Sequence, residues 1–111
     1  MKIITAIVQP FMFNKVVSGL EALADFPGMT VTDARGFGSK RSPHEAHAAH
    51  FDDFHPKTRL EIVAPDALAD EIVQTILRHA HTGHDGDGKV FVWEVAAAAR
   101  IQTGERDEAA L

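Results

Sequence analysis

Apolar positions along the chain recur at two different periods, and the changes between them predict a sequence of strands and helices. In Lys2–Gln9, Ile3 and Ile7 fall on one side of an extended chain and Ile4 and Val8 on the other. That is the pattern of a short strand covered on both faces, ended by Pro10. Val16, Val17, Leu20, Leu23 and Ala24 then follow at helical spacing, with Asn14 as the expected N-cap and a stop near Asp25, before Pro27-Gly28. Met29–Phe37 reads as a second strand. Thr58–Val63 reads as a third, with Leu60 and Ile62 facing one way and Arg59 and Glu61 the other. Asp66 is placed to cap a second helix with an apolar stripe of Leu68, Ile72, Val73, Ile76 and Leu77. His79 and His81 would lie in its last turn and Gly83 at its C-terminal cap. A glycine-rich loop, His84–Gly88, leads to a strand over Lys89–Val95, and the tail from Ala96 is expected to wrap or fray.

The predicted order is β-α-β, a long loop, then β-α-β. Two such halves make an α+β, ferredoxin-like sandwich: an antiparallel sheet with both helices on one face. Because the first strand is apolar on both sides, the open face of the sheet needs a cover, and a partner subunit would supply it.

Composition narrows the function. A chain of 111 residues holds one domain, 1–111, and a domain this small gains from oligomerisation. It has no Cys, which removes disulfides and thiolate metal sites and fits a cytoplasmic location. The apolar opening is too short for a signal peptide, and no run approaches membrane-spanning length. A net charge of -5 argues against nucleic acid and acidic membrane surfaces, leaving small molecules and proteins as partners.

Two segments carry candidate chemistry. In Thr82–Lys89, closely spaced glycines let backbone N–H groups converge on an anion, and Lys89 adds a charge. The spacing from Gly83 to Gly88-Lys89 imitates a P-loop, but Val90 stands where the metal-binding Ser or Thr belongs and the loop runs from helix to strand, so an NTPase is rejected. An EF-hand fails because Lys89 takes the place of a third oxygen ligand. Taken alone, the loop reads better as a tight glycine turn between two elements than as a binding site.

The second segment, Ser39–Pro56, is polar and histidine-rich, a length of loop that is usually functional or disordered. Ser42-Pro43 would start a short helix placing His44, His47 and His50 on roughly one face. Imidazole with carboxylate suits zinc, copper or nickel, and Glu45, Asp52, Asp53 or His55 would complete a site. The alternative is a solvated loop of neutral histidines that respond to pH. His79 and His81 are accounted for by the helix dipole, His84 is incidental, and Phe91 with Trp93 suits core or subunit packing.

Several stretches at matching spacing together resemble the PII signalling family, the nitrogen regulatory P-II proteins. They are Ala6-Ile7-Val8-Gln9-Pro10-Phe11, Gly28-Met29-Thr30-Val31-Thr32, Gly36-Phe37-Gly38 and Asp53-Phe54-His55-Pro56-Lys57. To these add Thr82-Gly83, Gly86-Asp87-Gly88-Lys89-Val90-Phe91-Val92, and Arg100-Ile101 with Thr103-Gly104-Glu105. The resemblance implies a homotrimer with adenine nucleotide (ATP, ADP or AMP) in each cleft between neighbours. It further implies that Ile7, Thr30, Glu61 and Val63 surround adenine and ribose, and that Gly36 and Gly38 approach by backbone. Gly86, Asp87, Gly88 and Lys89 would hold phosphates, with Arg100 arriving from the adjacent subunit. Residues 38–56 would be the effector loop, or T-loop, which docks on a regulated target, and a membrane transporter is the expected kind. Residues 82–89 would be the phosphate loop and 96–111 the tail.

Three departures modify that expectation. Gln102 replaces a family arginine, so a cationic phosphate contact is lost and ADP or AMP gains on ATP. Lys40 stands near the glutamine that helps hold magnesium and 2-oxoglutarate; a protonated amine offers a metal no acceptor, although Lys57 is retained. There is no Tyr to uridylylate, and His50 stands near that place. Two other classes compete: a trimeric metal-tolerance protein similar to the CutA family, which leaves the glycine loop and Arg100 without a role, and an enzyme, which lacks a nucleophile–base pair.

Overall fold

The structure, a computed structural model, describes residues 1–38 and 54–111. Its strands are β1 (Lys2–Val8), β2 (Thr30–Gly36), β3 (His55–Ala64) and β4 (Gly88–Glu94); its helices are α1 (Phe13–Glu21) and α2 (Asp66–Ala80). They form one antiparallel sheet in the order β2-β3-β1-β4. This is the ferredoxin-like arrangement the periodicity predicts.

Alternation along β1 and β3 decides which face is the core. Ile4, Ala6 and Val8 with Leu60, Ile62 and Ala64 point to the helix side, where Val16, Leu20, Ile72 and Ile76 close over them. All ten are buried. The helices approach closely where Gly19 of α1 meets His79 of α2, because a Cβ there would lie 2.7 Å from the imidazole. His79 is therefore part of the helix–helix contact, and its Nδ1 donates to the Thr75 carbonyl at 2.7 Å, a role beyond dipole complementation.

The opposite face carries Ile3, Thr5 and Ile7 of β1 in register with Trp93, Phe91 and Lys89 of β4. Phe91 and Trp93 are 48% and 52% exposed and stack edge to face, with centroids 6.5 Å apart, so within one chain they are not core.

Several boundaries differ from the sequence expectation for identifiable reasons. Pro10 opens a 3-10 turn, Pro10–Met12, which runs directly into α1 at Phe13; Asn14 is inside the helix and caps nothing. α1 stops at Glu21, where the chain turns, and Asp25 has a left-handed φ of 59°. Pro65 is the N-cap of α2, while the Asp66 carboxylate accepts from the Met1 amine at 2.9 Å, which holds it below the usual carboxylate range. His81 lies past the helix end in extended backbone. β3 begins at His55, ahead of the expected Thr58, because Gly36 pairs with His55 and prolongs the ladder. The tail is an ordered turn. Ala99 bridges Arg106, Arg100 and Glu105 join through backbone, and Gly104 returns the chain at φ 76°.

Candidate functional site

Antiparallel pairing brings the end of β1, the end of β2, the start of β3 and the start of β4 to one edge of the sheet. Val8 pairs with Gly88, Ile7 with Arg59, and Gly36 with His55. A cavity of about 1090 Å³ lies there. Ile7, Phe11, Phe37 and Phe91 give it apolar walls, Gly36, Gly38, Gly86 and Gly88 leave backbone exposed on it, and Lys57, Lys89, His55 and Asp85 bring charge or polarity.

The loop between α2 and β4 is shaped by a carboxylate. Asp87 accepts from the Thr82 N–H at 2.8 Å, from the Gly83 N–H at 2.9 Å and from the Thr82 hydroxyl. These donors, the hydroxyl foremost, favour the ionised form and hold the Asp87 pKa down at about 2. Two glycines then make conformations that a side chain would oppose, Gly86 at φ 92° and Gly88 at φ 107°. Gly86 packs between Gln9 and Lys57, and the Lys57 ammonium donates to its carbonyl at 2.9 Å. Thus the lysine at the start of β3 is tied directly to the glycine loop.

The rim of the cavity also holds the described residues that flank 39–53 on both sides. Phe37, just after β2, meets Phe54, just before β3, edge to face at 4.5 Å. A ligand against Gly36–Gly38 would therefore lie beside the point from which residues 39–53 depart.

Of the residues expected at a nucleotide site, Ile7, Gly36, Gly38, Gly86, Gly88 and Lys89 line this one cavity. The Asp87 side chain turns to the other side of the loop, where it builds the turn and borders a smaller pocket. Thr30 pairs with Glu61, and Val63 with Ile3, toward the opposite end of the same sheet. From Thr30 to Gly36 the strand spans roughly 20 Å. Arg100 sits on the tail turn, its guanidinium donating to an oxygen of Leu111 at 2.9 Å. Within one copy, Thr30, Glu61, Val63 and Arg100 are therefore not among the residues that line this cavity.

Sequence reasoning left Gln9, Phe11, Phe37 and Asp85 without a role in the cavity. The signal available for the first two was Pro10, which marks where a strand ends and hence where neighbouring loops gather. Lys40, His44, His47 and His50 lie outside the described residues, and His55 is on β3 against the cavity. Among the described residues there is no group of three His, Cys, Asp or Glu side chains fit to hold a metal.

Comparison with known proteins identifies the family. The model of the family "Nitrogen regulatory protein P-II" matches residues 1–105. Over the full length of both chains, the protein is 48% identical to nitrogen regulatory protein P-II 1 of Escherichia coli K12. The figure is 47% for nitrogen regulatory protein P-II of Klebsiella oxytoca and 42% for that of Haemophilus influenzae, again over both whole chains. The matched family is a regulatory, signal-transducing class of protein. The chain belongs to the nitrogen regulatory protein P-II family. Nothing in these comparisons favours the CutA-like alternative. No helix among the described residues is long and apolar enough to cross a membrane.

Proposed function

We propose that this protein is a trimeric sensor of adenine nucleotide that signals to a target protein through its long loop. The observation that carries the reading is the division of the expected contacts. Ile7, the glycine loop, Gly36–Gly38 and Lys89 share one cavity, whereas Thr30, Glu61, Val63 and Arg100 are elsewhere on the chain. One nucleotide can meet both sets only if a second copy brings its half-site to the first.

The chemistry of the cavity suits that ligand. Apolar walls accept a base, and Lys89 with the Gly86–Gly88 backbone accepts phosphates, to which a neighbour's Arg100 adds charge-assisted hydrogen bonds. The apolar sheet face of Ile3, Ile7, Phe91 and Trp93 supplies the surface on which copies assemble. With Gln102 and Lys40 in place of the family's residues, ADP or AMP is favoured over ATP, and neither magnesium nor 2-oxoglutarate is assigned a contact. A membrane transporter is the proposed target, met in the cytoplasm. His44, His47 and His50, with His55, are a secondary candidate for zinc or copper that would order the loop.

Calorimetry with ATP, ADP and AMP tests the main reading. Micromolar or tighter binding of ADP, weakened at least tenfold in Lys89→Ala, is expected. Equal, negligible heats for all three nucleotides would refute it.

A further inference from the structure

The tail ends in a built turn whose purpose its own chain does not explain. Gly104 N–H donates to the Arg100 carbonyl at 2.8 Å, Arg100 N–H to Glu105 at 2.9 Å, and Asp107 N–H to Ala98 at 2.8 Å. At the tip of this braced turn stands Ile101, 102% exposed and so touching nothing of its own fold. An ordered turn that holds a bare aliphatic side chain in water forfeits hydrophobic stabilisation unless another surface covers it.

The same chain offers such a surface. A pocket of about 190 Å³ opens between the C-terminal end of α2 and the β1–β4 edge, floored by Val8, Ile76, Leu77, Ala80 and Val90. Leu77 is half exposed at its mouth. A dry apolar cavity of roughly 150 Å³ is enough to take benzene, so this one has room for the four carbons of an isoleucine. Its rim carries Asp87, Gly88 and Lys89, the loop to which a neighbour's Arg100 comes under the reading above. Arg100 and Asp87 are also complementary in charge, and the latter is ionised throughout the physiological range.

We propose that Ile101 of one copy seats in the pocket of the next, between α2 and β4, and thereby sets Arg100 over that copy's glycine loop. Tip and pocket are different surfaces of one chain, so the contact is head to tail and closes a ring when repeated. This inference rests on Arg100 acting across the subunit boundary. Ile101 is the positioning residue and Arg100 the ligand contact.

The absence of Cys makes the test direct. In an Ile101→Cys, Leu77→Cys double variant, mild oxidation should yield covalent dimers and trimers on non-reducing gels, because the two Cα atoms come within disulfide range only across this contact. An Ile101→Cys, Val31→Cys pair serves as control, since Val31 is exposed on the far edge strand. Separately, Ile101→Ala should weaken assembly and ADP affinity tenfold or more, with Leu77→Ala adding little to it. Cross-linking no faster than in the control, or an Ile101→Ala variant within twofold of the parent in both measurements, overturns the inference. If the parent chain is a trimer that binds ADP and yet fails these tests, only the seating of Ile101 falls. A parent chain that is monomeric and binds no nucleotide removes the reading beneath it as well.

Discussion

A Cβ placed on Gly88 would lie 1.7 Å from the carbonyl oxygen of Ile7. The first residue of β4 and the penultimate residue of the paired β1 segment are thus in contact through backbone alone, at a φ of 107° that L side chains rarely adopt. Gly88→Ala must either part the strands or distort the loop. A cost of about 3 kcal/mol or more is expected from strain and overpacking together. Denaturant unfolding checks it, and a variant as stable as the parent would show that the close approach is not obligatory.

Asp87 organises the other end of the same loop. Its pKa is depressed to about 2 by Thr82 and Gly83, below the ordinary value of roughly 3.9. A carboxylate depressed in the folded state contributes stability above its unfolded pKa, and the contribution is lost as pH falls through the folded one. The loop should therefore hold at pH 5 and loosen between about pH 4 and 2. Asp87→Asn should be looser than the parent already at pH 7 and less sensitive across that window. Amide exchange at Thr82 and Gly83 is the readout; the same pH dependence in both proteins would contradict the assignment.

Thr5 presents the reverse case, a polar group the fold covers and does not use. It is 4% exposed on β1, and its hydroxyl has no hydrogen-bond partner. An unpaired buried hydroxyl costs about 1–3 kcal/mol, so Thr5→Val, close in shape, should raise stability by about 1 kcal/mol. A loss of stability of that size would mean that the hydroxyl is satisfied in the assembled protein.

Position 102 reads the nucleotide's phosphates under the proposed function. Gln102→Arg would restore a cation one residue beyond Ile101 on the tail turn. A charge-assisted contact of about 1.5–3 kcal/mol corresponds to tenfold or more in affinity. ATP should gain by that factor relative to ADP in competition calorimetry, and an unchanged ratio would show that Gln102 does not face the phosphates.

The element order was legible in the sequence because burial imposes a period: Leu60 and Ile62 alternate as in a strand, and Ile72 with Ile76 share a helix face. Which side of β1 is the core was not, because Ile3 and Ile7 are as apolar as Ile4 and Val8, and only packing against the helices distinguishes them. The glycine loop was legible because Gly86 and Gly88 need backbone freedom. Helix starts were not, since Asn14 and Asp66 look like caps, but Pro10 set one start and ion pairing with Met1 drew Asp66 away at the other. The beginning of β3 was hidden because His55, Pro56 and Lys57 have weak strand propensity, and their pairing with β2 is a tertiary effect. The separation of Thr30 and Glu61 from Gly36 and Lys89 became visible only once register was known. The link from Lys57 to Gly86 spans 29 residues and has no local signature.

The central claim is that the nucleotide site is made from two copies, and mixing two inactive variants tests it most directly. Lys89→Ala damages the cavity half and Arg100→Ala the half presented by the neighbour, so each protein alone should bind ADP weakly at every site. Unfolded together in equal amounts and refolded, they form mixed rings in which about a quarter of the sites combine both intact halves. Calorimetry should then show that fraction binding ADP with the parent's affinity. If mixing restores no tight sites while the mixed rings form, the two residues act within one copy and the account is contradicted.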